Sequence, residues 1–213
     1  MIPRLAAAAL PGLLCIASLA LCVQQASLTL ASRAFDRWTG NPGLQAPQQV
    51  QAPLAVALLL PDPAAYWLKG RWKMAQNPAD DSALAAFDRV AQARPYDFHP
   101  SLGRASWWAA NEPGSSEFAA ALAEAMVLGP NESRVFAAIF PLARLHWHYL
   151  SPDQQQQLEA LLVSTAVREP ALAIELARDY GFAGPACRLT AENLLAVGHC
   201  QRLGIIDREE GSP

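Results

Sequence analysis

His146-Trp147-His148 is the nearest approach in this 213-residue chain to a metal-binding constellation. On a helix, residues two apart point to different sides, so the two imidazoles do not form the i, i+4 pair that zinc sites use. No HExxH motif and no carboxylate at ligand spacing accompanies them. The plainer reading is two helix-face histidines beside a packed tryptophan. His99 and His199 stand isolated in the sequence. No serine lies in a GxSxG context, no glycine-rich phosphate loop is present, and Glu209-Glu210 sit in the tail. The expectation is a protein that is not an enzyme and carries no metal or cofactor. A general acid/base pair would have to be assembled from remote carboxylates. The four cysteines, at 15, 22, 187 and 200, give no CxxC pair. Cys187 and Cys200 could form a disulfide in an oxidising compartment, or stay as two buried thiols.

Two aromatic–cation pairs offer a different kind of chemistry, that of recognition. Trp72 and Trp107 are 35 residues apart, and so are Lys69 and Arg104, each cation one helical turn before its indole. Aromatic faces with cations beside them suit a partner peptide or a sugar. The competing reading places both indoles in the core and leaves the cations solvated.

These residues belong to a segment, 64–130, that superimposes on itself at the same interval. Leu68 falls on Gly103 and Pro95 on Pro130, and each Pro follows an apolar run, Phe87-Val90-Ala91 in one copy and Leu122-Ala125-Leu128 in the other. A Pro there cannot continue the preceding helix. Self-similarity at this period signals stacked helical hairpins, which bury an apolar seam and leave a surface for binding. Asp80-Asp81-Ser82, Ser115 or Ser116, and Ser151-Pro152-Asp153 read as helix starts. Helices are expected from Pro63 to Asn77, from Asp80 to Ala91, and from Pro100 to Asn111. Others are expected after Ser116, from Glu132 to Tyr149 with a kink at Pro141, from Ser151 to Arg168, from Ala171 to Tyr180, and from Thr190 to near Gly204. No stretch alternates with period two for long enough to make a sheet.

Composition bounds the rest. Apolar residues form 52% of the chain, so a sizeable core can be buried; charged residues form only 16%, with a net charge of −3, which gives no footprint for nucleic acid. Residues 5–23 are nineteen without a charge, after Arg4, and no charge returns until Arg33. About 20 apolar residues span a bilayer. Arg4 favours a cytoplasmic N-terminus and an exported remainder. An uncleaved signal anchor competes with a signal peptide cleaved near Ser18-Leu19-Ala20, with Pro11-Gly12 as a helix break; the length favours the anchor. Trp38 suits the membrane interface or the folded domain. Residues 39–53, with Gly40, Pro42, Gly43, Pro47 and Pro53, read as a spacer, and 54–60 as a short buried segment.

The pattern of the hairpins resembles tetratricopeptide repeats. Trp67, Ala83 and Phe87 in the first copy, and Leu122, Ala125 and Pro130 in the second, stand at matching places. The Leu-Gly pair expected in mid-helix is missing: Gly70 comes one place early and Ala105-Ser106 replaces the pair in the second copy. The resemblance covers about 67 of 213 residues. It implies an all-α fold, an N-terminal transmembrane helix followed by stacked antiparallel hairpins in a TPR-like α-solenoid. It also implies that Lys69, Trp72, Arg104 and Trp107 face a concave groove. Leu128-Gly129-Pro130-Asn131-Glu132, followed by Leu150-Ser151-Pro152, is similar to small membrane-anchored TPR-type accessory proteins of bacterial exopolysaccharide or O-antigen synthesis. The layout expected is therefore an anchor (1–32), a juxtamembrane linker (33–62), a helical domain (63–206) and a flexible tail (207–213). The function expected is a non-catalytic scaffold of the bacterial inner membrane, its C-terminal domain periplasmic, binding envelope proteins of a polysaccharide pathway. A periplasmic chaperone or assembly factor is the alternative.

Overall fold

The first helix, α1 (Pro3–Gly40), is 38 residues long, about 57 Å at 1.5 Å per residue. Its two halves live in different surroundings. From residue 14 to residue 23 every described side chain is exposed, although nearly all are apolar; from Gln24 onward one face is buried. The buried face carries Ala31, Ala34 and Phe35, spaced as one stripe of a helix. Against it lies α2 (Pro47–Ala57), which buries Val50, Leu54 and Ala57 at intervals of four and three.

The computed structural model describes residues 3–40, 47–130 and 132–206, the side chains of 3–13 and 47 excepted. Among the described residues there are eleven α-helices and no strand. The tail 207–213, residues 41–46 of the expected spacer, and Asn131 lie outside them. The chain divides into two compact units, 1–93 and 94–213. The boundary falls between the two hairpins of the 35-residue repeat, inside the 63–206 segment read from sequence as one domain.

In unit 1, α3 (Pro63–Gln76) and α4 (Asp81–Ala93) form the first hairpin. Asp62 accepts a hydrogen bond from the Ala64 N–H at 2.8 Å, and Pro63 occupies the first turn, where its missing N–H costs nothing. Asp80 does the same for α4 through Ser82 N–H at 2.8 Å, while its other oxygen lies 3.4 Å from Lys73 Nζ. One carboxylate thus starts α4 and ties it to the end of α3. Phe87 is wholly buried, its ring 5.3 Å from that of Trp67 and packed over Gly70.

In unit 2 the second hairpin is α5 (Phe98–Asn111) and α6 (Ser116–Leu128), capped by Asp97 and Ser115. Then come α7 (Ser133–Leu145), a 3-10 turn (Trp147–Tyr149), α8 (Pro152–Arg168), α9 (Pro170–Asp179), α10 (Ala183–Leu189) and α11 (Leu194–Arg202). The Ser151/Gln154 capping box opens α8, and the Gln154 amide also donates to the Ala119 carbonyl on α6 at 2.9 Å. Phe118, Leu122, Phe136, Ile139, Phe140, Leu158, Leu162 and Ile174 make the centre of its core.

Four expectations are corrected. Residues 47–53, expected as spacer, form one helix with 54–57: Pro53 removes one backbone bond, but the buried Val50–Leu54–Ala57 stripe holds the helix on α1. The helix expected to reach Tyr149 ends at Leu145, and Gln155 Nε2 donates to the carbonyls of Trp147 (3.1 Å) and Leu150 (3.2 Å) to hold the turn after it. Residues 183–189 are helical, with Pro185 tolerated in the first turn. Thr190 does not start the last helix. It closes α10, its hydroxyl donating to Ala186 O, and Asn193 caps α11.

Candidate functional site

The two indoles that looked like recognition residues are both buried, Trp72 within the apolar cluster of unit 1. Trp72 is 3% exposed; its ring lies 5.3 Å from Trp38 and 6.3 Å from Phe35. This contact also decides between the two readings of Trp38, which packs on the folded unit. Trp107 is 7% exposed, edge-on to Trp108 at 4.8 Å. Both rings are therefore shielded from solvent. The neighbouring cations are half-buried: Lys69 on α3, and Arg104 on α5, which pairs with Glu124 of α6 and donates to Ser101 Oγ at 3.2 Å.

Cys187 and Cys200 are joined in a disulfide between α10 and α11, Cys200 fully buried and Cys187 nearly so. Cys15 and Cys22, on the apolar half of α1, are exposed.

His146 sits just before the 3-10 turn, and Trp147 and His148 lie within it. His146 sets its ring 5.4 Å from Phe118, Trp147 lies 5.7 Å from Phe182, and His148 is 4.0 Å from Tyr149. Sequence reading missed Arg144, whose guanidinium sits 4.8 Å from both the Trp147 and Phe182 rings. A cation between two aromatic faces is a structural clamp on this corner. Burial lowers the pKa of Arg144 from its ordinary value.

Burial, and then the charge of His148, hold the pKa of His146 below the usual 6.5. The unfolded chain therefore binds a proton that the folded one resists. This contribution to stability is intact above pH 6.5 and is lost as pH falls from there toward the folded pKa. Unit 2 is expected to lose resistance to urea on acidification through that window, and His146→Phe to flatten the loss; urea midpoints at about pH 7.5 and 5.5 measure it.

Sequence reading also left His99 isolated. Its Nδ1 lies 2.6 Å from Asp97 Oδ1, the same oxygen that accepts the His99 backbone N–H at 3.0 Å. Burial acts to raise the Asp97 carboxyl, but the bonds from His99 and the charges of His99 and Arg94 outweigh it, and its pKa is lowered. The pair is local to one helix start and serves as a cap. Among the described residues no group of three or more His, Cys, Asp or Glu side chains could hold a metal.

Two surfaces remain. The first is the all-round exposed apolar run of α1, including Leu14, Ile16, Leu19, Leu21 and Val23. Within residues 14–40 the helix is long and apolar enough to cross a membrane. The second is an open apolar groove of about 400 Å³ in unit 2, lined by Met126, Val127 and Pro130 on one side and Gln157, Leu161 and Ser164 on the other. Gln24, in the charge-free part of α1, is 5% exposed, and its amide donates to the carbonyls of Ala57 and Leu60, each at 3.0 Å. A glutamine directly following an apolar run is the signal that could have found it.

No family model, no curated protein and no solved structure matches this chain.

Proposed function

We propose that this chain is a single-pass protein of a bacterial inner membrane that holds a helical, non-catalytic body on the periplasmic side. The observation that carries the reading is the division of α1: one continuous helix is bare and apolar over residues 14–23 and is a wall of unit 1 from Gln24 onward. Water does not cover ten exposed, mostly apolar residues on all faces of a helix without cost; lipid does. Arg4 before the apolar run favours export of the chain beyond it, and the Cys187–Cys200 disulfide fits an oxidising compartment. The body works by binding. Tethering confines it to the membrane surface and raises its effective concentration toward membrane partners without new contacts.

The partners proposed are envelope proteins of polysaccharide synthesis or export. That narrower reading rests on the resemblance carried by residues 128–132 and 150–152. The unit 2 groove favours the second reading, a chaperone or assembly factor, since an open apolar trough suits extended or helical peptide segments. The test is in three parts on the full chain. It should resist alkaline extraction from membranes, be digested by protease added to the periplasmic face, and co-purify with polysaccharide synthases or polymerases. Varied secreted clients in the co-purification would favour the chaperone. Release by alkali would end the membrane reading.

A further inference from the structure

We infer that the loop between α2 and α3, carrying Leu59 and Leu60, is a second membrane contact that seats unit 1 on the lipid surface. The inference rests on the anchor reading of α1 and adds to it where the folded body meets the bilayer.

The argument is one of level. The apolar run 5–23, within a stretch that stays uncharged up to Arg33, is nineteen residues, about 28 Å of helix, against a hydrocarbon thickness of about 30 Å. With Arg4 at one boundary, Gln24 lies at the other. Gln24 is also the first described side chain of α1 to be buried. What buries it is the end of α2 and the loop after it, since its amide donates to Ala57 O and Leu60 O. The next residue, Gln25, donates to Asp62 Oδ2 at 3.3 Å. Two successive glutamines thus fasten residues 57–62 to the point where α1 leaves the body.

At that level the loop presents apolar side chains outward. Leu59 is 77% exposed, and Val56 and Leu60 are exposed beside it. Pro61 and Pro63 stiffen the loop on either side of Asp62. One helical turn farther from the anchor, Tyr66 on α3 accepts a hydrogen bond from Arg89 on α4 at 3.0 Å, and the Arg89 guanidinium lies 5.0 Å from the Tyr66 ring. The order from lipid to water is therefore Leu, then Tyr with Arg. That is the order of an interfacial anchor, with apolar tips below and an aromatic ring and a cation at the headgroups. The opposite end of α3, at Gln76, is polar and exposed.

The test places one fluorescent thiol label at a time on the full chain in phosphatidylcholine–phosphatidylglycerol vesicles, with the Cys187–Cys200 disulfide left intact. The label sits on native Cys22 in Cys15→Ser, on Leu59→Cys in Cys15→Ser/Cys22→Ser, or on Gln76→Cys in that same background. A nitroxide at the top of the acyl chain reports the layer about 5–10 Å into the headgroup–acyl boundary. The expected result is at least about twofold more quenching at Leu59→Cys than at Gln76→Cys, with quenching at Cys22 as well. Equal, weak quenching at Leu59→Cys and Gln76→Cys, with Cys22 quenched, would overturn the loop contact and leave the anchor standing. No quenching at Cys22 would overturn the anchor and the loop contact together.

Discussion

Phe87→Ala is expected to destabilise unit 1 by about 3–5 kcal/mol, the cost of emptying a fully buried aromatic site. The ring is the wedge of the α3–α4 hairpin. It is completely shielded from solvent, and it lies so close over Gly70 that a Cβ built there would fall 2.7 Å from Phe87 Cδ1 and nearer still to Cε1. The pair therefore couples. Gly70→Ala alone should cost about 1–3 kcal/mol, because the ring has nowhere to go between the two helices. In the Phe87→Ala background the same change should be neutral or stabilising by up to about 1 kcal/mol, since alanine is the better helix former once space exists. Urea unfolding of the four proteins in detergent measures the cycle. A coupling energy near zero would show that the hairpin does not close as described.

Cys187→Ala/Cys200→Ala is expected to lower the stability of unit 2 by about 2–5 kcal/mol. The bridge joins α10 to α11 across thirteen residues of sequence, and both sulfurs sit in the core. Both helices are short, seven and nine residues, lengths at which a helix is marginal without tertiary support. Asn193 adds a second tie, its amide donating to the Ala166 carbonyl at the end of α8 at 2.9 Å. The shift should appear in the urea midpoint. A thiol reductant should reproduce it in the natural chain and leave the double variant unchanged. Equal midpoints with and without the bridge would remove the argument that this protein is built for an oxidising compartment.

Local signals in the chain located much of the helical plan. Ser115, Ser151 with Pro152, Pro63, Pro170 and Gly181 each act on their own turn, by capping a free N–H, occupying a first turn or taking a positive φ (69° at Gly181), so they could be read without neighbours. Where two local readings competed, tertiary contact chose. Pro53 argued against a helix, and burial of Val50, Leu54 and Ala57 on α1 prevailed. Thr190 had the chemistry of a cap, and its hydroxyl was taken by Ala186 O instead.

The candidate site divides the same way. A charge-free run long enough to cross a membrane is a property of composition, and nothing distant can change it. Whether Trp72 faces solvent is not such a property: one repeat position is compatible with a groove or a core, and Trp38 and Phe35 packed against the ring decide it. Gln24 is the clearest case. Alone it is a polar residue ending an apolar stretch; its meaning comes from the carbonyls of Ala57 and Leu60, 33 and 36 residues away. The sequence by itself determined that this chain is helical and has one apolar helix fit for lipid, because periodicity, caps and composition act within a few residues. Only the tertiary structure decided which side chains are core, where the long helix stops being bare, and which loop stands beside it, because burial depends on what the rest of the chain brings into contact.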